Sequence, residues 1–283
     1  MKWRKQGIAA MVLAMVLTGC GGGTKTAEAE ELLRQAESKM QTVESMAAEM
    51  TMEMDMALGE TVMETTTVAN ILTRQEPLQM QMELSMDMGD GAVQQMQMYA
   101  EEAGEHLKAY LYSADTWHTQ TMPAEELEQY DAEENMELYL EHLESYQVSG
   151  TEKIQDVQTT RIDGIMRGEA MEEAIESSGV VASAAGMGVT EEQLEKMYQD
   201  LKDLPLSLWI DSEGYVRKYE LDLTKMMQQI METALAGVAG SGETDGFSVQ
   251  KTMVSMICGQ FNQVGEITIP AEAKSAAVLM TEE

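Results

Sequence analysis

The sequence has few basic residues, few histidines and few large aromatic side chains, and each shortage argues against a class of function. It has 18 Lys and Arg against 50 Asp and Glu among 283 residues, which gives a formal net charge of −32. A surface this negative repels phosphate backbones, so we expect no nucleic-acid partner. The three histidines, His106, His118 and His142, have no metal-ligand spacing. With only 2 Phe and 3 Trp, the apolar fraction of 44% must come from other side chains.

Motifs that support catalysis are also missing. The chain contains no His-Glu-x-x-His, no Cys-x-x-Cys and no Gly-x-Ser-x-Gly, and Gly240-Ser241-Gly242 belongs to a small-residue linker. Carboxylates are so abundant that pairs occur by chance, and no pair stands out as an acid–base couple. The acidic segment 125–137 is interpreted as solvated surface. We therefore expect a protein that is not an enzyme, with no catalytic residues, no metal site and no cofactor.

The first twenty residues have the features of an export signal. Lys2, Arg4 and Lys5 precede the apolar stretch 8–17, which is too short to span a bilayer. This stretch ends in Leu17-Thr18-Gly19-Cys20, which resembles the lipobox of bacterial lipoproteins. The resemblance implies cleavage before Cys20, diacylglycerol on its sulfur and an acyl group such as palmitate on its new amino end.

Beyond this segment no apolar run reaches 18 residues, so we expect a chain that is anchored to the membrane and does not span it. Because an anionic leaflet would repel the acidic body, the lipid on Cys20 is its expected membrane contact. Cys258 is then the remaining thiol, which excludes an intramolecular disulfide, and its apolar surroundings predict burial. The predicted organisation is a signal peptide at 1–19, the lipidated Cys20 with a flexible tether at 20–26, a single domain at 27–278 and a tail at 279–283. We expect a monomer on the extracytoplasmic face of the bacterial cell membrane.

Methionine is the residue in excess, with 28 copies, and many copies alternate with polar residues. Met50, Met52, Met54 and Met56 follow this pattern, and the segment 78–88 alternates without exception. A period of two predicts long antiparallel strands with one face in water.

The remaining patterns predict an α+β domain, a curved antiparallel sheet with helices covering its concave face. Thr190-Glu191-Glu192-Gln193 is a capping box that predicts the start of a helix. Segments 179–188 and 236–246 are rich in small residues and are predicted to be linkers, and 87–91 to be a hairpin turn. Helices are predicted near 27–45, 132–146, 167–178, 190–201 and 226–235, and strands near 48–58, 61–73, 78–88, 93–99, 107–112, 116–122, 147–157, 159–166, 206–210, 215–223, 247–262 and 264–269.

Three interpretations of the methionine pattern remain open. Methionine packs well in any core, so the protein could be a structural or sensory surface lipoprotein with a filled interior. Thioethers also bind Cu(I), and Met50-x-Met52-x-Met54-x-Met56 resembles the Met-x-Met runs of copper carriers. The third and favoured hypothesis is a soft cavity for a lipid or other hydrophobic ligand, covered by the helix near 224–235. Its predicted lining consists of Met50, Met52, Met54, Met56, Met80, Met82, Leu84, Met86, Met96, Met98, Met227, Ile230 and Met231.

Several short motifs, in their order along the chain, resemble a known family. They are Tyr110-Leu111-Tyr112-Ser113-Ala114-Asp115-Thr116-Trp117, Leu208-Trp209-Ile210-Asp211 with Tyr215 and Lys218, and Ile267-Thr268-Ile269-Pro270-Ala271-Glu272-Ala273. Together with the lipobox they are similar to the DUF6612-type lipoproteins of Gram-positive bacteria, over roughly residues 27–278. That family is similar in architecture to the LolA/LolB and LppX/LprG lipid carriers. The resemblance implies an unclosed β-barrel with helices around a lipid-binding cavity, and no catalytic residues.

Overall fold

The computed structural model describes residues 22–87, 93–104, 106–123, 132–178, 180–186, 188–239 and 247–278. The predicted signal peptide, the lipidation site Cys20, positions 88–91 of the predicted turn at 87–91, positions 240–246 of the predicted linker at 236–246 and the tail at 279–283 lie outside these ranges.

Within these ranges, twelve strands form one sheet. The strands are β1 (Ser45–Leu58), β2 (Thr61–Arg74), β3 (Gln79–Asp87), β4 (Val93–Ala103), β5 (His106–Ser113), β6 (Thr116–Pro123), β7 (Glu144–Ile154), β8 (Val157–Met166), β9 (Leu204–Asp211), β10 (Val216–Asp222), β11 (Phe247–Gly259) and β12 (Ala277–Val278). Their order is β12-β6-β5-β4-β3-β2-β1-β11-β10-β9-β8-β7. Eleven strands pair antiparallel, and the short β12 pairs parallel with β6. Because β12 and β7 are opposite edges of the sheet, it is not closed into a barrel.

Seven helices accompany the sheet in the same ranges. They are α1 (Gly22–Met40), α2 (Ala132–His142), α3 (Gly168–Ser177), α4 (Val180–Gly186), α5 (Glu191–Asp200), α6 (Thr224–Ala239) and α7 (Ala271–Lys274). None of those in the described ranges has the length and apolar character that a membrane span requires.

Helices α1 to α6 share one core with alternate residues of the strands. Leu33 of α1, Met136 of α2 and Ile230 of α6 join Leu208 of β9 in a single buried cluster. The strand side chains that point into this cluster define what we call the inner face of the sheet. Since successive strand residues point to opposite faces, the period-two pattern of the sequence places its apolar members here.

The opposite, outer face is covered at β3–β6 by a strap, residues 264–276, which is irregular as far as Pro270 and then includes α7. Ile267, Ile269 and Ala273 of the strap pack against Tyr99 and Tyr110 in a second buried cluster. The side-chain amide of Gln79, on the outer face of β3, accepts a hydrogen bond from the Ile267 N–H (3.2 Å) and donates one to the Ile267 carbonyl (3.4 Å). The Gln79 side chain therefore provides hydrogen-bond partners for a backbone segment that is not paired with a strand.

The predicted α+β architecture is confirmed, as are the strands from 48 to 122. The capping box is confirmed as well, because the Thr190 hydroxyl accepts from the Gln193 N–H and the Gln193 side chain accepts from the Thr190 N–H.

Several local predictions were wrong. Residues 264–269 do not form a strand. Ile267 and Ile269 both pack into the outer-face cluster, but no neighbouring strand pairs with their backbone. The predicted linker at 179–188 contains α4, in which Val180 and Ala184 are fully buried, since small side chains let this helix pack closely. Two helices were predicted to be too long. The first, predicted to reach 45, ends at Met40 before β1 begins at Ser45, and the one predicted to reach 146 ends at His142 before β7 begins at Glu144. The predicted linker at 236–246 begins inside α6, which extends to Ala239.

Candidate functional site

The inner face of β1–β4 carries rows of methionine that the strand register aligns across the sheet. Met50 lies opposite Ala69 of β2, which lies opposite Leu84 of β3, which lies opposite Met96 of β4. The neighbouring rows are Ala48–Ile71–Met82–Met98 and Met52–Thr67–Met86, followed by the pairs Met54–Thr65 and Met56–Met63. We call this surface the methionine face. It consists of Met50, Met52, Met54, Met56, Met63, Met80, Met82, Leu84, Met86, Met96 and Met98.

Burial decreases along the methionine face from one end to the other. At the end where β1 begins, Met46 is 1% exposed and Met80 is 6% exposed. Further along β1, the residues from Met50 to Met56 on this face are only half-buried, and Leu58 at the strand's end is 64% exposed. We call the first end, marked by Met46 and Met80, the closed end, and the second, marked by Leu58, the open end.

The open end gathers the exposed large apolar side chains of the described residues. On the inner face these are Leu58, Met63 (51% exposed) and Met96 (43% exposed). On the outer face they are Val62 (50% exposed) and Val93. All five lie in β1, β2 and β4, so the apolar surface reaches solvent at this end of the strands.

Strand β11 pairs with β1 along one edge, and helix α6 lies along part of its other edge. Strand β10 ends at Asp222, opposite Met253, so the part of β11 before Met253 has no β10 partner. Two α6 side chains take its place. The Thr224 hydroxyl accepts from the Thr252 N–H (3.0 Å), and the Gln228 side chain accepts from the Val249 N–H. The helix thus provides hydrogen-bond acceptors for backbone N–H groups of β11 that no strand pairs with.

The sequence assigned Met227, Ile230 and Met231 of α6 to the cavity lining. Met227 and Ile230 are 3% and 0% exposed and belong to the packed core, whereas Met231 is half-buried against it. The ten predicted strand residues all lie on the methionine face, and Met80 and Met98 among them are buried.

Sequence reasoning missed Met63. The β1–β2 register places it directly opposite Met56. Counting back from the turn at Gly59 and Glu60 would have found this pair, because a two-residue hairpin turn fixes the register.

The core beside the closed end contains a buried aromatic pair and the thiol of Cys258. The rings of Tyr139 and Tyr219 meet edge to face at 4.9 Å, and the Tyr219 hydroxyl donates to the Met256 sulfur at 3.3 Å. Cys258 is fully buried, as predicted, and burial raises the pKa of its thiol to about 12. The core is therefore closely packed at this point, and the buried Cys258 thiol is not poised as a nucleophile.

On the outer face, two of the chain's few basic side chains lie next to Trp209, an arrangement that sequence patterns did not reveal. The Arg161 guanidinium and the Lys218 ammonium lie 4.8 Å and 4.5 Å from its ring centroid, and its indole N–H donates to Glu152 (2.8 Å). Burial alone would raise the pKa of Asp163, but hydrogen bonds from Ser207 and Arg161 hold it below its usual value. This cluster connects β7, β8, β9 and β10 on the face opposite to the methionine rows.

Two further kinds of candidate site concern the described residues, a metal centre and a surface depression. No group of three or more His, Cys, Asp or Glu side chains within them is placed to hold a metal ion. A shallow depression of about 530 Å³ is lined by Thr190, Glu192, Gln193, Glu195, Lys196 and Gln199, and it lies on the outside of α5.

Known proteins resemble the chain in structure and in sequence family. The lipoprotein LppX of Mycobacterium tuberculosis is 12% identical with a TM-score of 0.48, and the match covers 86% of this chain and 99% of LppX. LprF of Mycobacterium bovis is 11% identical with a TM-score of 0.47, and the match covers 87% of this chain and 97% of LprF. A putative outer membrane lipoprotein-sorting protein domain from Vibrio parahaemolyticus is 7% identical with a TM-score of 0.25, covering 81% of this chain and 89% of that one. No curated protein matches the sequence. The model of the family of unknown function DUF6612 matches residues 28–278, and the chain therefore belongs to that family.

Proposed function

We propose that this protein is a membrane-anchored, extracytoplasmic lipoprotein that binds a lipid or another hydrophobic molecule on its methionine face, without catalysis. The observation that supports this most directly is the graded burial of that face. A surface of Met and Leu that is buried at Met80 and half-exposed from Met50 to Met56 leaves apolar area for a ligand to cover.

The chemistry of the face suits a ligand of variable shape. Methionine has three rotatable bonds and a polarizable sulfur, so it can adapt to different partners. Each ligand methylene buried there would contribute about 0.8 kcal/mol, so an acyl chain needs no specific polar contact to bind. The thioethers and apolar neighbours that line the face offer no acid, base or nucleophile for a reaction.

The anchor is inferred from the N-terminal sequence. The basic residues, the short apolar stretch and Cys20 predict a lipid at the start of the mature chain. Such a lipid would hold the acidic domain next to a membrane, where hydrophobic ligands are concentrated.

The test is uptake of the neutral fluorophore Nile red by the mature chain with a Cys20→Ser substitution, which prevents acylation. Two neighbouring residues provide a matched pair of variants, since Met63 and Val62 are 51% and 50% exposed but point to opposite faces. We expect Met63→Glu to weaken binding at least tenfold, because it places a charge on the inner face, and Val62→Glu to change it less than twofold.

Two results would contradict the proposal. One is no uptake of Nile red together with no lipid detected by native mass spectrometry of protein purified from cells; this would favour a filled core with a structural or sensory role. The other is an equal loss of binding in both variants. Stoichiometric Cu(I) binding that Met63→Glu abolishes, in a protein that takes up no dye, would support a thioether metal site instead.

A further inference from the structure

The methionine side chains differ widely in exposure. Met136, Met166 and Met226 are fully buried in the main core. On the methionine face, by contrast, Met63 and Met96 are 51% and 43% exposed, and several of their neighbours are half-buried. We call the exposed and half-buried methionines of this face the accessible thioethers. They are Met50, Met52, Met54, Met56, Met63, Met82, Met86 and Met96.

The accessible thioethers form one continuous surface. Met56 of β1 lies directly opposite Met63 of β2, and Met52 and Met86 share a row across Thr67. Paired strands lie about 4.8 Å apart, and side chains on one face repeat about every 6.8 Å along a strand. A long, flexible methionine side chain covers such a distance, so a chemical change at one sulfur alters a surface that its neighbours share.

A thioether differs from the other apolar side chains because it can be oxidised. Two-electron oxidants convert methionine into methionine sulfoxide, which is polar and chiral. A thiol would compete for the oxidant, but Cys258, the free thiol of the described residues, is fully buried. Leu84 is half-buried on the same face, so the sheet accommodates leucine there, and leucine provides apolar surface without this reactivity. Methionine at these positions therefore adds a redox chemistry that binding alone does not require.

We propose, on the basis of the function proposed above, that the accessible thioethers are a site of reversible oxidation, and that their oxidation by a peroxide releases the hydrophobic ligand. The sulfur lone pair attacks one peroxide oxygen, so that an S–O bond forms and the O–O bond breaks. The other oxygen leaves as water, carrying both protons of hydrogen peroxide. Sulfur is oxidised by two electrons, and the peroxide is reduced. The sulfoxide oxygen then has no hydrogen-bond partner beneath an apolar ligand, which destabilises the bound state.

The test treats the mature Cys20→Ser chain with hydrogen peroxide and locates each added oxygen by peptide mass spectrometry. Met63 and Met96 should be oxidised first and the half-buried accessible thioethers next. Met136, Met166 and Met226 should stay reduced as long as the circular dichroism of the chain is unchanged. Bound Nile red should slow oxidation of the accessible thioethers, because it covers them.

Nile red titration of the oxidised chain measures the effect on binding. We expect the affinity to fall at least about tenfold, since a polar group beneath the ligand loses its hydration without gaining a hydrogen bond. Methionine sulfoxide reductases A and B, each specific for one sulfoxide epimer, should restore the affinity when supplied with a dithiol. Unchanged affinity after oxidation of the accessible thioethers, or a loss that these reductases do not reverse, overturns this inference and leaves the proposed function intact.

Two variants separate oxidation of the methionine face from oxidation elsewhere. One replaces every accessible thioether with leucine, and the other is Met253→Leu, a change at a half-buried position of the outer face opposite Glu53. After peroxide treatment we expect the first to keep its affinity for Nile red and the second to lose it as the unaltered chain does. An equal loss in both variants overturns the inference. If the leucine variant does not fold, the reductase result with the unaltered chain decides. Failure of the untreated, unaltered chain to bind Nile red overturns the proposed function as well.

Discussion

Alanine substitutions along β1 test whether the methionine face is open or is part of a filled core. Met46, Met50, Met54 and Met56 point to the same face of one strand, so the four variants differ in position and share their chemistry. Met46 is 1% exposed and packs in the main core, whereas the other three are half-buried.

The burial of each residue sets the expected cost. Removing a fully buried Met side chain loses its transfer free energy and leaves a cavity, so Met46→Ala should destabilise the protein by about 2–5 kcal/mol. At Met54 and Met56 roughly half of the ~1.5–3 kcal/mol transfer term applies and no closed cavity forms, so each change should cost about 1 kcal/mol. Affinity for Nile red should follow the reverse order, weakening most at Met54 and Met56.

The assay is urea unfolding followed by circular dichroism, with Nile red titration of each folded variant. The unfolding midpoints can be compared directly if the slope with denaturant is the same in all variants, because the slope reports the surface exposed on unfolding. A uniform cost of about 2–5 kcal/mol at all four positions, with unchanged dye affinity, would refute the argument, since it would mean that β1 is packed from end to end.

Two further predictions concern the rest of the fold. Gln79→Leu should destabilise the protein by about 2–4 kcal/mol, because it leaves the N–H and the carbonyl of Ile267 without a partner, and hydrogen exchange at Ile267 should accelerate; unchanged exchange would show that the strap does not depend on this side chain. Cys258, with its thiol fully buried and its pKa raised to about 12, should react with iodoacetamide at pH 8 only after unfolding, and labelling of the folded chain would contradict its place in the core.

The strands were predictable from the sequence because their burial is one-sided. In β1 and β3, polar residues alternate with Met and Leu, and this period appears only when one face is covered and the other meets water. The start of α5 was predictable for a different reason, since the Thr190 and Gln193 contacts are made within one turn of the chain.

The order of the strands could not be predicted in the same way. Strand β11 lies between β1 and β10, so a segment near residue 250 pairs with a strand that is about 200 positions earlier in the sequence. The strand predicted at 264–269 was wrong for a related reason. The alternation of Ile267 and Ile269 reflects contacts with Tyr99 and Tyr110 and not pairing with a strand. Both features depend on tertiary contacts that leave no periodic signal of their own.

The position of the open end was likewise hidden, because it depends on how far the helices extend over the sheet. The sequence gives Met46 and Met56 the same alternating environment, yet the first is buried and the second is half-exposed. Local pattern identifies the face of a strand, and the packing of other elements decides how much of that face is covered.

The distribution of residue types over the inner face argues against methionine as ordinary filling. Under the helices, the buried apolar side chains at inner positions of β8–β10 are branched or aromatic, with Met166 as the exception: Ile162, Leu204, Leu206, Leu208, Ile210, Val216, Tyr219 and Leu221. On β1–β4 the half-exposed or exposed inner positions are mainly Met: Met50, Met52, Met54, Met56, Met63, Met82, Met86 and Met96. If methionine only filled space, it would occur equally in both halves of the sheet. Within the sheet, methionine is instead concentrated where the chain covers the inner face only in part. A flexible side chain at such positions would suit the variable hydrophobic ligand proposed above.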